Sequence, residues 1–142
     1  MQLHHVSIRT ADIHRALAFY EALGFSVQER FTTGFTLACW LEGLGSRLEL
    51  IQIPEPKPAL DAFHDEHYVG YYHLSFELPP DGPSLGHWLE GFEIKLQALA
   101  LPWKLLLAPQ PQMIGDHLYE VLFLADPDGL ALEFIRRLPR LG

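Results

Sequence analysis

A single cysteine, Cys39, stands in the 142-residue chain, so no intrachain disulfide holds it together. Its setting, Leu37-Ala38-Cys39-Trp40, is that of a packed strand residue rather than a nucleophile, and a lone thiol suits a reducing, cytoplasmic compartment. Basic residues are also scarce: 10 Lys+Arg against 18 Asp+Glu give a formal charge of -8. A net negative field repels phosphate backbones and anionic lipid, which argues against nucleic-acid and membrane partners and leaves a small molecule. No apolar run approaches the roughly 20 residues that span a bilayer, and Met1-Gln2-Leu3-His4-His5 has no basic stretch leading into an apolar one. Neither insertion nor export is expected. What is present is ordinary: 49% apolar and 20% charged residues, the mix of a folded chain long enough to bury its own core.

The chain repeats itself. His5-Val6-Ser7-Ile8 returns as His73-Leu74-Ser75-Phe76, a period-two pattern that predicts two opening strands. Leu48-Glu49-Leu50-Ile51-Gln52 returns as Leu132-Glu133-Phe134-Ile135-Arg136, which predicts two closing strands, each with a carboxylate set among apolar residues. After each opening strand comes a helix signal. Asp12 caps a helix over 13–23 with Ala16, Leu17, Tyr20 and Leu23 at helical spacing and Gly24 as its stop. Ser84 caps a second, running to roughly Ala100, with Leu85, Trp88, Leu89 and Phe92 on one face.

Short β-rich runs fill the space before each closing strand: Phe31 to Leu41 and the turn Gly43-Leu44-Gly45-Ser46 in the first half, Trp103 to Leu107 and Tyr119 to Leu124 in the second. Asp126-Pro127-Asp128-Gly129 is a turn before the last strand. The expectation is a single α+β domain over 1–142, built from two βαβββ modules, the first about 1–55 and the second about 69–137, with a proline-bearing linker about 54–68. Halves this small bury a sheet face poorly alone and are expected to pack together.

Four ionisable side chains sit among apolar neighbours at the repeated positions: His5, Glu49, His73 and Glu133. A carboxylate in an apolar strand needs a cation, hydrogen-bond donors or water, because burying it unpartnered costs about several kcal/mol. If the modules pair, two imidazoles and two carboxylates meet around one divalent ion. Such a donor set suits Ni, Co, Zn, Mn or Fe and leaves room for substrate oxygens.

His5 with Asp12 and the run Phe19-Tyr20-Glu21-Ala22-Leu23-Gly24-Phe25, together with Asp126-Pro127-Asp128-Gly129 ahead of Leu132-Glu133, resembles the glyoxalase, bleomycin-resistance and extradiol-dioxygenase (vicinal oxygen chelate) superfamily over nearly the whole chain. That resemblance implies open U-shaped sheets enclosing a metal, and a homodimer in which chains share modules. A carboxylate at Glu49, where methylmalonyl-CoA epimerases usually carry Gln, points to the glyoxalase I branch, and Arg9 matches an arginine that contacts glutathione there. The implied function is a metal-dependent isomerase or lyase moving a proton next to a carbonyl or hemithioacetal, with Glu133 or Glu49 as the base. The basic, Gly-rich stretch expected before the last two strands is replaced by Ala108-Pro109-Gln110-Pro111-Gln112-Met113-Ile114-Gly115-Asp116, so the substrate stays open.

Other readings compete. His4 rivals His5 as the first ligand, though the repeat with His73 favours His5; Glu49 has Arg47 and Arg9 as possible ion-pair partners. His64-Asp65-Glu66-His67 falls in the linker and reads as solvated, His14, His87 and His117 as surface residues, and Trp40, Trp88 and Trp103 as core, with Trp40 or Trp103 an alternative pocket wall. An extradiol-type dioxygenase using Fe(II), and a non-catalytic binding module for a small apolar ligand, are the alternatives in function.

Overall fold

The structure, a computed structural model, describes residues 1–140. Its elements run β1 (Val6–Thr10), α1 (Ile13–Leu23), β2 (Ser26–Thr33), β3 (Thr36–Gly43), β4 (Ser46–Gln52), β5 (Leu74–Leu78), α2 (Leu85–Ala98), β6 (Lys104–Ile114), β7 (His117–Ala125) and β8 (Ala131–Arg137). They form two four-stranded sheets ordered β1-β4-β3-β2 and β5-β8-β7-β6. In each, the opening strand pairs parallel with the closing strand and the other pairings are antiparallel. This is an α+β fold of two βαβββ modules. The chain divides into two compact units, Met1–Pro58 and the residues from Ala59 onward. Residues 53–73 between β4 and β5 carry no helix or strand.

Helix α1 begins where the Asp12 carboxylate accepts the Arg15 N–H at 3.1 Å and ends at Gly24, whose φ of 134° suits a residue without a side chain. Its buried face is Ile13, Ala16, Leu17, Phe19 and Tyr20. The Gln52 side-chain oxygen accepts the Ile13 N–H at 2.9 Å, fixing the helix start to the end of β4. Helix α2 repeats the arrangement with Ser84 as cap and the Glu120 carboxylate accepting the Leu85 N–H at 3.0 Å. The first unit buries Leu41, Leu48 and Leu50, the second Leu85, Leu96, Leu122, Leu124, Leu132 and Phe134, all nearly inaccessible to water.

Two strand expectations change. The run from Phe31 to Leu41 is broken by the β2–β3 turn, with Gly34 at φ 60°. Strand β6 extends to Ile114, well past Leu107 and through Pro109 and Pro111. It is an edge strand, where a residue lacking an N–H is tolerated, and its register shifts across Pro109, between Leu107 and Gln110. Gly43 has a packing reason to be glycine: a Cβ there would lie 2.5 Å from the Gly24 carbonyl oxygen.

Candidate functional site

Register places the candidate residues. Ser7 on β1 lies beside Glu49 on β4, and Ser75 on β5 beside Glu133 on β8. His5 and His73 sit one residue ahead of their strands, two residues before those serines, so strand alternation sends each histidine to the face of its serine. In the first unit His5 Nε2 is 3.5 Å from Glu49 Oε1; in the second His73 Nε2 is 3.7 Å from Glu133 Oε1. The serine hydroxyls donate to the same carboxylate oxygens, Ser7 at 2.8 Å and Ser75 at 2.6 Å. All four candidates are half-buried.

Within each unit the structure brings one histidine to one carboxylate, His5 to Glu49 and His73 to Glu133. Among the described residues, no group of three or more His, Cys, Asp or Glu is gathered as a metal site within reach of one ion.

Arginines near the carboxylates are engaged elsewhere. Arg47 binds Glu42 at 2.6 Å, the Gln28 side chain and the His4 carbonyl; Arg136 binds Glu120 at 3.4 Å; Arg137 donates to His117. The ion-pair reading of Glu49 with Arg47 is therefore not what the chain adopts. Arg9 lies exposed on β1, two residues beyond Ser7 on the same face of the strand.

His4 is exposed and takes a supporting place, its Nδ1 2.7 Å from His5 Nδ1, one imidazole donating to the other. Sequence reasoning missed a further contributor: the Trp40 indole N–H donates to Glu49 Oε2 at 2.8 Å. Trp40 is directly opposite Glu49 in the β3–β4 ladder, and its ring is half-buried rather than core, as are Trp88 and Trp103. The matching partner of Glu133 is Phe123. Burial alone raises the Glu49 carboxyl, but the Trp40 and Ser7 hydrogen bonds and the nearby His5 and His4 outweigh it and hold it below the usual carboxylate range. Burial, and next the Glu133 charge, push the Tyr72 phenol up.

The sequence profile of the Glyoxalase/Bleomycin resistance protein/Dioxygenase superfamily matches residues 4–99, taking in His5, Glu49 and His73. The chain belongs to this superfamily. Solved structures share the fold: the glyoxalase family protein from Enterococcus faecalis at 20% identity and TM-score 0.68, over 94% of this chain and 96% of that one; a glyoxalase I mutant from Zea mays at 21% and 0.67, over 94% and 45%; and the fosfomycin resistance protein FosX from Listeria monocytogenes at 13% and 0.61, over 99% and 95%. At such identities the likeness is one of fold. No curated protein matches.

The donor types in each unit, one imidazole and one carboxylate, are ones a divalent ion accepts. Among the described residues His73 Nδ1 is buried without a hydrogen-bond partner. Each module offers one imidazole and one carboxylate, and a carboxylate holding a serine hydroxyl keeps lone pairs for a cation. The other histidines lack such a setting. His14 and His87 are exposed on helices, and His64 is exposed and bonded to Asp61 at 2.8 Å. Cys39 is buried on β3, where burial raises its thiol. Among the described residues no helix is long and apolar enough to cross a membrane.

Proposed function

We propose that the protein is a glyoxalase-like, metal-dependent isomerase or lyase that moves a proton on carbon next to a carbonyl or hemithioacetal. One observation carries this reading: the same His–Ser–Glu arrangement is built twice, at identical register, on the opening and closing strands of both modules. His5, Glu49, His73 and Glu133 would hold one divalent ion (Ni, Co, Zn, Mn or Fe), the two pairs coming from modules of one chain or of two chains in a cytoplasmic homodimer. When bound, the ion stabilises negative charge developing on substrate oxygens.

The remaining work falls to the chain's own groups. A carboxylate oxygen of Glu133 or Glu49 accepts the carbon-bound proton and returns it to the neighbouring carbon, so the group ends as it began. The hydroxyls of Ser7 and Ser75 each donate to one oxygen of the neighbouring carboxylate. The exposed guanidinium of Arg9 is a donor for an anionic part of the substrate.

The test is proton exchange at carbon in a hemithioacetal formed from a thiol and a 2-oxoaldehyde, followed by NMR in deuterated water. Chelation abolishes exchange, nickel or zinc restores it, and the metal-loaded Glu133→Gln and Glu49→Gln variants show which carboxylate is the base. Exchange that persists unchanged after chelation contradicts the proposal. A non-catalytic binding module for a small apolar ligand is the second reading, and it predicts ligand binding that survives chelation.

A further inference from the structure

Glu49 and Glu133 hold the same place in the fold, yet their surroundings differ in one respect that bears on how freely each carboxylate moves. Both oxygens of Glu49 are engaged: Ser7 donates to Oε1 at 2.8 Å and the Trp40 indole to Oε2 at 2.8 Å. Trp40 is itself held. Its ring meets His4 edge-on at 4.9 Å and Phe31 at 5.2 Å, and leans on His5 at 6.0 Å. An indole packed on three sides does not follow a turning carboxylate, so the bond is a fixed anchor.

In the second module the residue opposite Glu133 is Phe123, which has no polar hydrogen to donate. Its ring is taken up by Tyr72, His73 and Phe63. Ser75 holds Oε1 of Glu133 at 2.6 Å, and no hydrogen bond reaches Oε2 among the described residues.

We infer that Trp40 is a positioning residue that locks the Glu49 side chain in one rotamer, making Glu49 the fixed donor of the pair and leaving Glu133 the carboxylate that can turn. The role of Glu49 and Glu133 as donors rests on the reading above; the lock itself is a property of the metal-free chain. Partners that fix a ligand from behind are worth about 10- to 100-fold in metal affinity.

Side-chain carbon couplings and relaxation of selectively 13C-labelled glutamate in the metal-free protein test the lock. Glu49 is expected to occupy one rotamer and Glu133 to average over several, a comparison within the wild type that needs no substitution. In Trp40→Phe, which keeps an aromatic ring and copies the second module's wall, Glu49 averages as Glu133 does. Glu49 already averaged in the wild type, or still fixed in Trp40→Phe, overturns the lock. Nickel calorimetry on the same samples separates the two ideas. Affinity about 10- to 100-fold weaker in Trp40→Phe supports the positioning role, and unchanged affinity overturns it. If the wild type takes up no nickel, the metal reading fails and the couplings alone decide the lock.

Discussion

The two modules share strand order, side-chain helix N-caps and the His–Ser–Glu register, and differ at the residues around the shared pair. Where the first has His4 and Trp40, the second has Tyr72 and Phe123. In the first, the wall of the site is polar: one imidazole and one indole reach the histidine and the carboxylate. In the second it is aromatic, Tyr72 and Phe123 giving Glu133 no hydrogen bond beside that of Ser75 among the described residues, and His73 Nδ1 has no hydrogen-bond partner among them. Backbone topology therefore repeats because hydrophobic pattern and caps repeat, whereas the chemistry at the shared position is tuned by whichever residue the neighbouring strand brings opposite.

The comparison can be stressed first through the cores. Leu50 follows Glu49 and Phe134 follows Glu133, and both are buried. Phe134 also packs on Trp88 at 4.4 Å and Phe76 at 5.5 Å. Urea unfolding is expected to show a loss of about 3–5 kcal/mol for Phe134→Ala and about 2–5 kcal/mol for Leu50→Ala. A near-neutral result at either position would mean that module has a different core from the one described. Next in size is Gly43→Ala, which pushes a methyl against backbone in the first module and is expected to cost about 1–3 kcal/mol, measured the same way. Smaller again are the caps. Asp12→Ala and Ser84→Ala each remove one acceptor from an equivalent helix start and should cost about 1 kcal/mol apiece, equal if the modules are equivalent there.

The smallest effect is in acid. Because the folded state holds Glu49 below the usual carboxylate range, its charge stabilises the fold above the unfolded carboxyl's pKa, and that contribution fades as pH falls through the depressed folded value. The stability gap between the metal-free wild type and Glu49→Gln should therefore be open near neutrality and narrow in acid. A gap that widens with acid would reverse the sign of this assignment.

Most of the fold was legible in the sequence because its determinants are local. Asp12, Ser84 and Gly24 mark helix ends, and the repeated His-x-Ser and Leu-Glu patterns mark strands whose polar residues share a face. Strand β6 was harder to read, since Pro109 and Pro111 argue against a strand until its edge position is known. The Trp40–Glu49 bond was not legible at all. It depends on the antiparallel register of β3 on β4, nine residues apart in sequence and set by the intervening Leu44-Gly45 turn, and an indole among apolar residues looks like core until that register is fixed.

The central claim is that the two His–Glu pairs serve one ion, and calorimetric nickel titration of chelator-stripped wild type, His5→Ala and His73→Ala tests it most directly. The account predicts one ion per chain in the wild type and loss of tight binding in both variants, since each removes half of a shared set. Tight binding that survives in either variant, or two independent ions per chain, would contradict it.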